Sequence, residues 1–297
     1  MVRAAVPGAE VEVTCSMVSH EVREGIKPLS GVKNIIAVAS GKGGVGKSTL
    51  AVNFALALSA EGARAGILDA DIYGPSQPRM LGVSGQPKSK DGKSLEPMRS
   101  YGLQAMSIGF LIDEESPMIW RGPMVTQALE QLLNDTRWDD LDYLIVDMPP
   151  GTGDTQLTLA QKVPVSGSII VTTPQDIALL DARKAYKMFE KVDIPVLGIV
   201  ENMSTHICSN CGHEEHIFGA GGGARMAEQY QLDLLGDVPL ERAIREGADR
   251  GKPSVVSAPD SAAARTYKRI ARNAAARLAQ RKKDFSAQFP NIVIQQN

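Results

Sequence analysis

Short apolar runs recur along the chain at 34–40 (NIIAVAS), 64–71 (RAGILDAD), 103–109 (LQAMSIG), 143–149 (YLIVDMP), 167–173 (GSIIVTT) and 196–203 (VLGIVENM). Several are apolar throughout instead of alternating with polar residues. That pattern suits strands buried on both faces of a parallel sheet. Between them, residues 47–60, 123–135, 154–162 and 175–192 carry helical patterning. Strands alternating with helices predict right-handed βαβ units, hence an α/β fold with a doubly wound, mostly parallel sheet. In such sheets ligands bind beyond the carboxyl ends of the strands. The residues just after each apolar run are therefore the first place to look for chemistry.

Outside this alternation three segments differ. Residues 84–100 are rich in Gly, Pro, Ser and Lys and read as a surface loop or hairpin. Residues 1–30 offer one short strand, Val11 to Thr14, and a helix over about 17–27, too little to form a core. After Asp260 comes a helix with eight Lys or Arg between Arg265 and Lys283 and no acid. Its apolar positions Tyr267, Ile270, Ala274 and Leu278 keep helical spacing, which predicts a packed helix with a solvated basic face. That face is too poor in Leu, Phe and Trp to favour a membrane surface. The expected organisation is a leading segment (1–30), one main domain (31–260) and a basic helix with a tail (261–297).

Composition narrows the class. The chain has 297 residues, 43% hydrophobic and 22% charged, with a net charge of −2, ordinary values for a globular protein with a substantial core. Such a charge argues against nonspecific binding to nucleic acid or to anionic membrane, so neither a nucleic-acid partner nor stable membrane association is expected. Three cysteines cannot build a disulfide framework. The first residues lack the apolar core of a signal peptide, and no run reaches the length of a membrane span. A cytoplasmic setting is the expectation. The histidines form no recognisable triad with a serine, and His20 reads as a surface residue.

The stretch GKGGVGKST (41–49) fits G-x-x-x-x-G-K-[ST], with a strand before it and a helix after. Gly41, Gly43, Gly44, Val45, Gly46, Lys47, Ser48 and Thr49 are the candidate phosphate cradle. Glycines let the backbone wrap an anion, and the free N–H groups at the helix start hold it. Lys47 should reach the β- and γ-phosphates of ATP, and Ser48 should hold Mg²⁺. Asp147, after four apolar strand residues, has the pattern of a second Mg²⁺ ligand. Asp69 and Asp71 end another strand. Gly151 and Gly153 suit a segment that moves when a γ-phosphate leaves. Asp154 suits a helix cap.

Lys42, directly after the first glycine, makes the loop resemble the deviant Walker A motif. That family includes nitrogenase iron protein, the septum- and chromosome-positioning ATPases and the arsenite-pump ATPase. The resemblance implies a homodimer in which Lys42 reaches the partner's nucleotide as a charge supplied in trans. It also implies that Asp71 orients or activates the attacking water, that Asn202 reads the adenine, and that the segment around Pro239 forms the other wall of that pocket.

Cys208 and Cys211 sit two residues apart a few positions after the 196–203 run, on the same rim as the nucleotide. Four readings compete: a thioredoxin-like redox pair, a zinc site completed by His213 and His216, buried structural thiols, and half of a metal centre shared across a two-fold axis. The redox reading is weakened because the pair opens no helix. The single-chain zinc site is weakened because four ligands within nine residues strain a tetrahedron. A [4Fe–4S] cluster takes four thiolates, and a symmetric dimer brings two pairs together.

Taken together, GVKNIIAVASGKGGVGKSTLAVNFALAL, ILDADIYGPS, WRGPM (120–124), LIVDMPPGTGD, VENMS and CSNCG resemble the bacterial Mrp/ApbC-type iron–sulfur cluster carrier ATPases from about residue 31 to about 265. The resemblance implies slow ATP hydrolysis, a homodimer, and a [4Fe–4S] cluster bound by Cys208 and Cys211. It further implies upstream scaffold proteins that supply the cluster and client apoproteins that receive it. Many members carry a small N-terminal domain, of which 1–30 would be a remnant; Cys15 lies there without a nearby partner thiol. The WRGPM stretch suits a dimer or client contact or plain packing. Two other functions compete: a positioning or regulatory ATPase acting on membrane or DNA, with zinc or no metal, and an electron-transfer reductase. The adjacent cysteine pair disfavours both.

Overall fold

The computed structural model describes residues 17–112, 122–208 and 210–284. The expected strand at Val11 to Thr14, Cys15, Trp120 and the tail from Phe285 lie outside them. The strands, numbered in chain order, are β1 (Val32–Ala39), β2 (Ala65–Asp69), β3 (Met98–Ser100), β4 (Leu103–Ser107), β5 (Leu141–Asp147), β6 (Gly167–Thr172), β7 (Val196–Asn202), β8 (His206–Ile207), β9 (Glu214–Glu215) and β10 (Leu234–Val238). All but β8 and β9 share one sheet, in the order β10-β7-β6-β1-β5-β2-β4-β3. Every neighbouring pair is parallel except β3 with β4. β2, β4, β5 and β6 are buried at every position, which is why their sequences do not alternate.

Helices α1 (Lys47–Ala60), α2 (Gln77–Met80), α3 (Gly122–Asp135), α4 (Asp154–Lys162), α5 (Asp176–Lys191), α6 (Gly222–Tyr230), α7 (Arg242–Asp249), α8 (Ser254–Ser257) and α9 (Ala262–Ala279) connect and cover the strands. α1 is buried almost all round, from Leu50 to Leu58, because α9 packs on it and on β10. The buried stripe of α9, Tyr267, Ile270, Ala271, Ala274 and Leu278, matches the spacing read from the sequence. Its basic side is exposed; there Arg272 pairs with Glu61, Arg277 with Asp233 and Arg269 with Asp237 at the surface.

Two expectations are corrected. Residues 17–27 form no helix; they run extended apart from a turn near Gly25. Their backbone pairs instead with residues 282–284: the Glu21 N–H donates to the Lys282 carbonyl and the Asp284 N–H to the Ser19 carbonyl, both at 2.9 Å. His20 is buried, not on the surface, with Nδ1 2.9 Å from the Asn34 Oδ1 at the start of β1. Residues 84–97, expected as a loop or hairpin, form a loop with one bridge from Leu95 to Thr136; the hairpin beyond it is β3–β4, turned by Tyr101 (φ 50°) and Gly102 (φ 83°), a two-residue turn with both φ positive.

Register matters most at the carboxyl ends. Val38 pairs with Asp147, Asp147 with Asp69, and Asp69 with Ser107. One row across four strands thus delivers two carboxylates beside the loop that leaves β1.

Candidate functional site

The loop after β1 turns into α1 through Gly44 (φ 80°) and Gly46 (φ 83°), conformations open to glycine. A Cβ at Gly44 would meet nothing within 4 Å, so the loop faces open space. Gly41 is needed for another reason: a Cβ there would lie 2.1 Å from the Asp181 carbonyl of α5. Gly46 is the N-cap of α1 and no side chain caps it, which leaves the first N–H groups free to cradle an anion.

Lys47 and Asp147 meet under this loop. Lys47 Nζ lies 2.5 Å from Asp147 Oδ1 and 3.0 Å from Ser48 Oγ, and the pair is almost fully buried. The other carboxylate oxygen, Oδ2, accepts from Gln77 Nε2 at 2.8 Å; the same nitrogen donates to the Ser48 carbonyl at 3.1 Å. Gln77 Oε1 is buried with no hydrogen-bond partner among the described residues. A hydroxyl, a carboxylate and an unpartnered amide oxygen in one place suit a hard cation with its waters. The residues present therefore fit Mg²⁺. Gln77 carries no signal in the sequence: it opens the short helix α2 after Ser76, and only the fold turns it to Asp147.

Asp69 sits behind this pair. Its carboxylate accepts from the N–H groups of Asp71, Ser76 and Gln77 and from the Ser107 hydroxyl. Full burial, helped by the charge of Asp147, pushes its pKa up to about 7. Asp71 lies just past β2 and is half-buried. Burial raises its pKa, opposed by the Lys47 ammonium. Gly151 donates its N–H to the Ser40 carbonyl at 2.9 Å. Asp154 opens α4 in its first turn, but the cap position is Gly153 and no side chain caps it.

Lys42 is half-buried at the loop's outer edge and makes no ion pair among the described residues. Asn202 ends β7 and donates from Nδ2 to the Val45 carbonyl at 2.8 Å. It packs so closely that a Cβ at Gly46 would lie 2.1 Å from that nitrogen. Pro239 follows Val238, the register partner of Asn202, so 202 and 239 lie on adjacent strand ends.

The cysteine pair occupies the tip of the β8–β9 hairpin, on the same rim. The Cys208 N–H donates to the His213 carbonyl and the Gly212 N–H to the Cys208 carbonyl, both at 2.9 Å. Cys208 is half-buried and Cys211 exposed, and both are free thiols. Hydrogen bonds to the Cys208 sulfur from the N–H groups of Cys211 and Asn210 hold its pKa below the usual thiol range, so the thiolate is favoured. Among the described residues no three or more His, Cys, Asp or Glu come together as a metal site. The Nδ1 of His216 is occupied by the Ser204 carbonyl at 2.9 Å. The arrangement offers two free thiols two residues apart, one half-buried and one exposed.

Comparison with known proteins follows the geometry. The chain matches, over residues 31–275, the family described as ParA: NUBPL iron-transfer P-loop NTPase. It is similar to an iron–sulfur cluster carrier protein of Pseudomonas fragi, 60% identical over 268 residues, covering 90% of this chain and 93% of that protein. A protein of the same name from Escherichia coli K12 is 61% identical over 251 residues, covering 84% of this chain and 68% of the relative. Among solved structures, the nucleotide-binding protein of Archaeoglobus fulgidus in complex with ADP aligns with a TM-score of 0.67 at 37% identity, covering 75% of this chain and 88% of that one.

Proposed function

Because the chain belongs to the NUBPL iron-transfer P-loop NTPase (ParA) family, we propose that it is an ATP-hydrolysing carrier that holds a labile [4Fe–4S] cluster between two copies of itself and passes it to apoproteins. The observation that carries this reading is the pair Cys208 and Cys211: two free thiols on a hairpin at the sheet rim that also carries the phosphate loop, with no group of three metal ligands among the described residues. Two thiolates leave a cluster half-coordinated, and a two-fold axis supplies the other two. Coordination by so few thiolates per chain leaves the cluster easy to release, as a cargo must be. Cluster donors upstream and client apoproteins downstream are the implied partners.

On this reading the N–H groups from Gly43 to Thr49 hold the phosphates. Lys47 exchanges Asp147 for the β- and γ-oxygens. Ser48 and Asp147 would hold Mg²⁺, which neutralises phosphate charge when bound. Asp71 aligns a water against the γ-phosphorus and accepts its proton; burial, which raises its pKa, makes it a stronger base than an exposed aspartate. The bond from phosphorus to the bridging oxygen breaks, and ADP leaves with that electron pair. Lys42 of the partner subunit stabilises the charge on the transferring group. For the base, Asn202 and Pro239 line one edge of the pocket.

Anaerobic reconstitution with ferrous iron and sulfide tests the proposal. The expected product is a brown dimer with about four iron atoms per two chains, and Cys208→Ala should remain colourless. A colourless wild-type chain that retains stoichiometric zinc contradicts the cluster. Binding to liposomes or DNA only with ATP points instead to a positioning ATPase.

A further inference from the structure

The phosphate loop and the cysteine hairpin are linked through hydrogen bonds and one pairing of adjacent strands. Asn202 Nδ2 donates to the Val45 carbonyl at 2.8 Å. Asn202 is the register partner of Val238 on β10. Just beyond, the Val238 carbonyl accepts from both the N–H (3.1 Å) and the hydroxyl (3.2 Å) of Ser204. The Leu240 N–H donates to the Thr205 carbonyl at 2.7 Å. Two histidines at the root of the hairpin complete the strip. His206 Nδ1 lies 3.1 Å from the Leu240 carbonyl and His216 Nδ1 2.9 Å from the Ser204 carbonyl. A carbonyl oxygen only accepts, so in both rings Nδ1 carries the proton and donates.

The hairpin has little else to position it. β8 and β9 pair over two residues each in a sheet of their own, and so short a ribbon is not stable alone. Its place relative to the rest of the rim is set by residues 238–240, which also flank the segment proposed to line the base pocket. A shift of Pro239 on nucleotide binding must therefore move the Leu240 carbonyl and N–H, and with them His206, two residues before Cys208.

We propose that residues Val238 to Leu240, gripped by His206 as a positioning residue, couple nucleotide occupancy to the exposure of the Cys208/Cys211 cargo site. The inference rests on the carrier reading above. Coupling between two binding sites is reciprocal, so the cluster must change nucleotide affinity by the same factor by which nucleotide changes cluster affinity. Binding of fluorescent ADP to cluster-free and cluster-loaded protein, measured anaerobically, reads that factor. The wild type should show a ratio of affinities of about fivefold or more. His206→Ala should load the cluster but bring the ratio to about one. His206→Asn, whose amide can still donate to the Leu240 carbonyl, should restore it, which a merely structural side chain would not explain. Should His206→Ala fail to load, Ser204→Ala, which removes the hydroxyl bond to Val238, is the substitute and should lower the ratio likewise.

A wild-type ratio of one overturns the coupling, as does an unchanged ratio in the alanine variant or failure of asparagine to rescue. Loss of loading in both His206 variants overturns it too, since His206 would then form the cargo site itself. A wild-type chain that takes up no cluster is a different failure: it removes the carrier reading on which the coupling rests.

Discussion

Gly46 shows how little freedom single residues have at this site. Its φ of 83° already lies where a side chain is strained, and a methyl group would collide with Asn202. Gly46→Ala should abolish ADP binding while leaving the circular dichroism spectrum intact; calorimetric titration with wild-type affinity would contradict the cradle. Lys47 has two roles to lose. Removing one partner of a buried pair typically costs about 3–5 kcal/mol, so Lys47→Ala should lower unfolding stability in urea as well as nucleotide affinity. Asp69 sets a pH dependence. Its folded pKa of about 7 stands above the unfolded value of about 3.9. Between those limits the folded state holds a proton that the unfolded state has released, so stability through this group is greatest at the acid end and falls as pH rises toward 7. The stability difference between wild type and Asp69→Asn, without nucleotide or Mg²⁺, should therefore shift against the wild type between pH 5 and 7; a flat difference contradicts it. The acidic residues and the lysines were legible because each follows an apolar run or a fixed glycine spacing. Gln77 and His20 were not, because their partners Asp147 and Asn34 are set by distant strands.

At the scale of elements, α9 separates two contributions. Ile270 is fully buried, and truncating such a side chain to alanine costs about 2–5 kcal/mol. Arg272 makes two hydrogen bonds to Glu61, at 2.9 and 2.8 Å, yet the pair is exposed, and such pairs are worth about 0.2–1 kcal/mol. Urea unfolding should rank Ile270→Ala well below Arg272→Ala; the reverse order would mean that the ion pairs hold the helix down. The β8–β9 hairpin lies at the other extreme. The Cys208 and Gly212 amides should exchange hydrogen fast for so short a ribbon and slow down when the cysteines bind their cargo; mass-spectrometric exchange reads this directly. The main strands were readable as solid apolar runs because both faces of the sheet are covered. β8 and β9 are too short to leave a period. Residues 17–27 misled because no local pattern reveals that their backbone partners lie more than 250 positions away.

For the whole molecule, the question is whether two chains share one centre. Coexpressing equal amounts of wild type and a Cys208→Ala/Cys211→Ala chain distinguishes the cases. If dimers form at random and each centre needs both chains, iron should fall to about one quarter of the wild-type value; a site within one chain would retain about one half. In the sequence, the proposed second copy rests on the count of thiols, since a surface between copies leaves no period to read.

The backbone pairing of 19–21 with 282–284 lies by Asn34, at the start of β1, whereas the nucleotide loop and the thiols lie past the strands' far ends. The protein thus has a sewn pole and a working pole. On the carrier proposal, a dye or an immobilising linker attached near Val18 or Asp284 should leave cargo exchange undisturbed, so the sewn pole is the natural handle for single-molecule measurements of transfer.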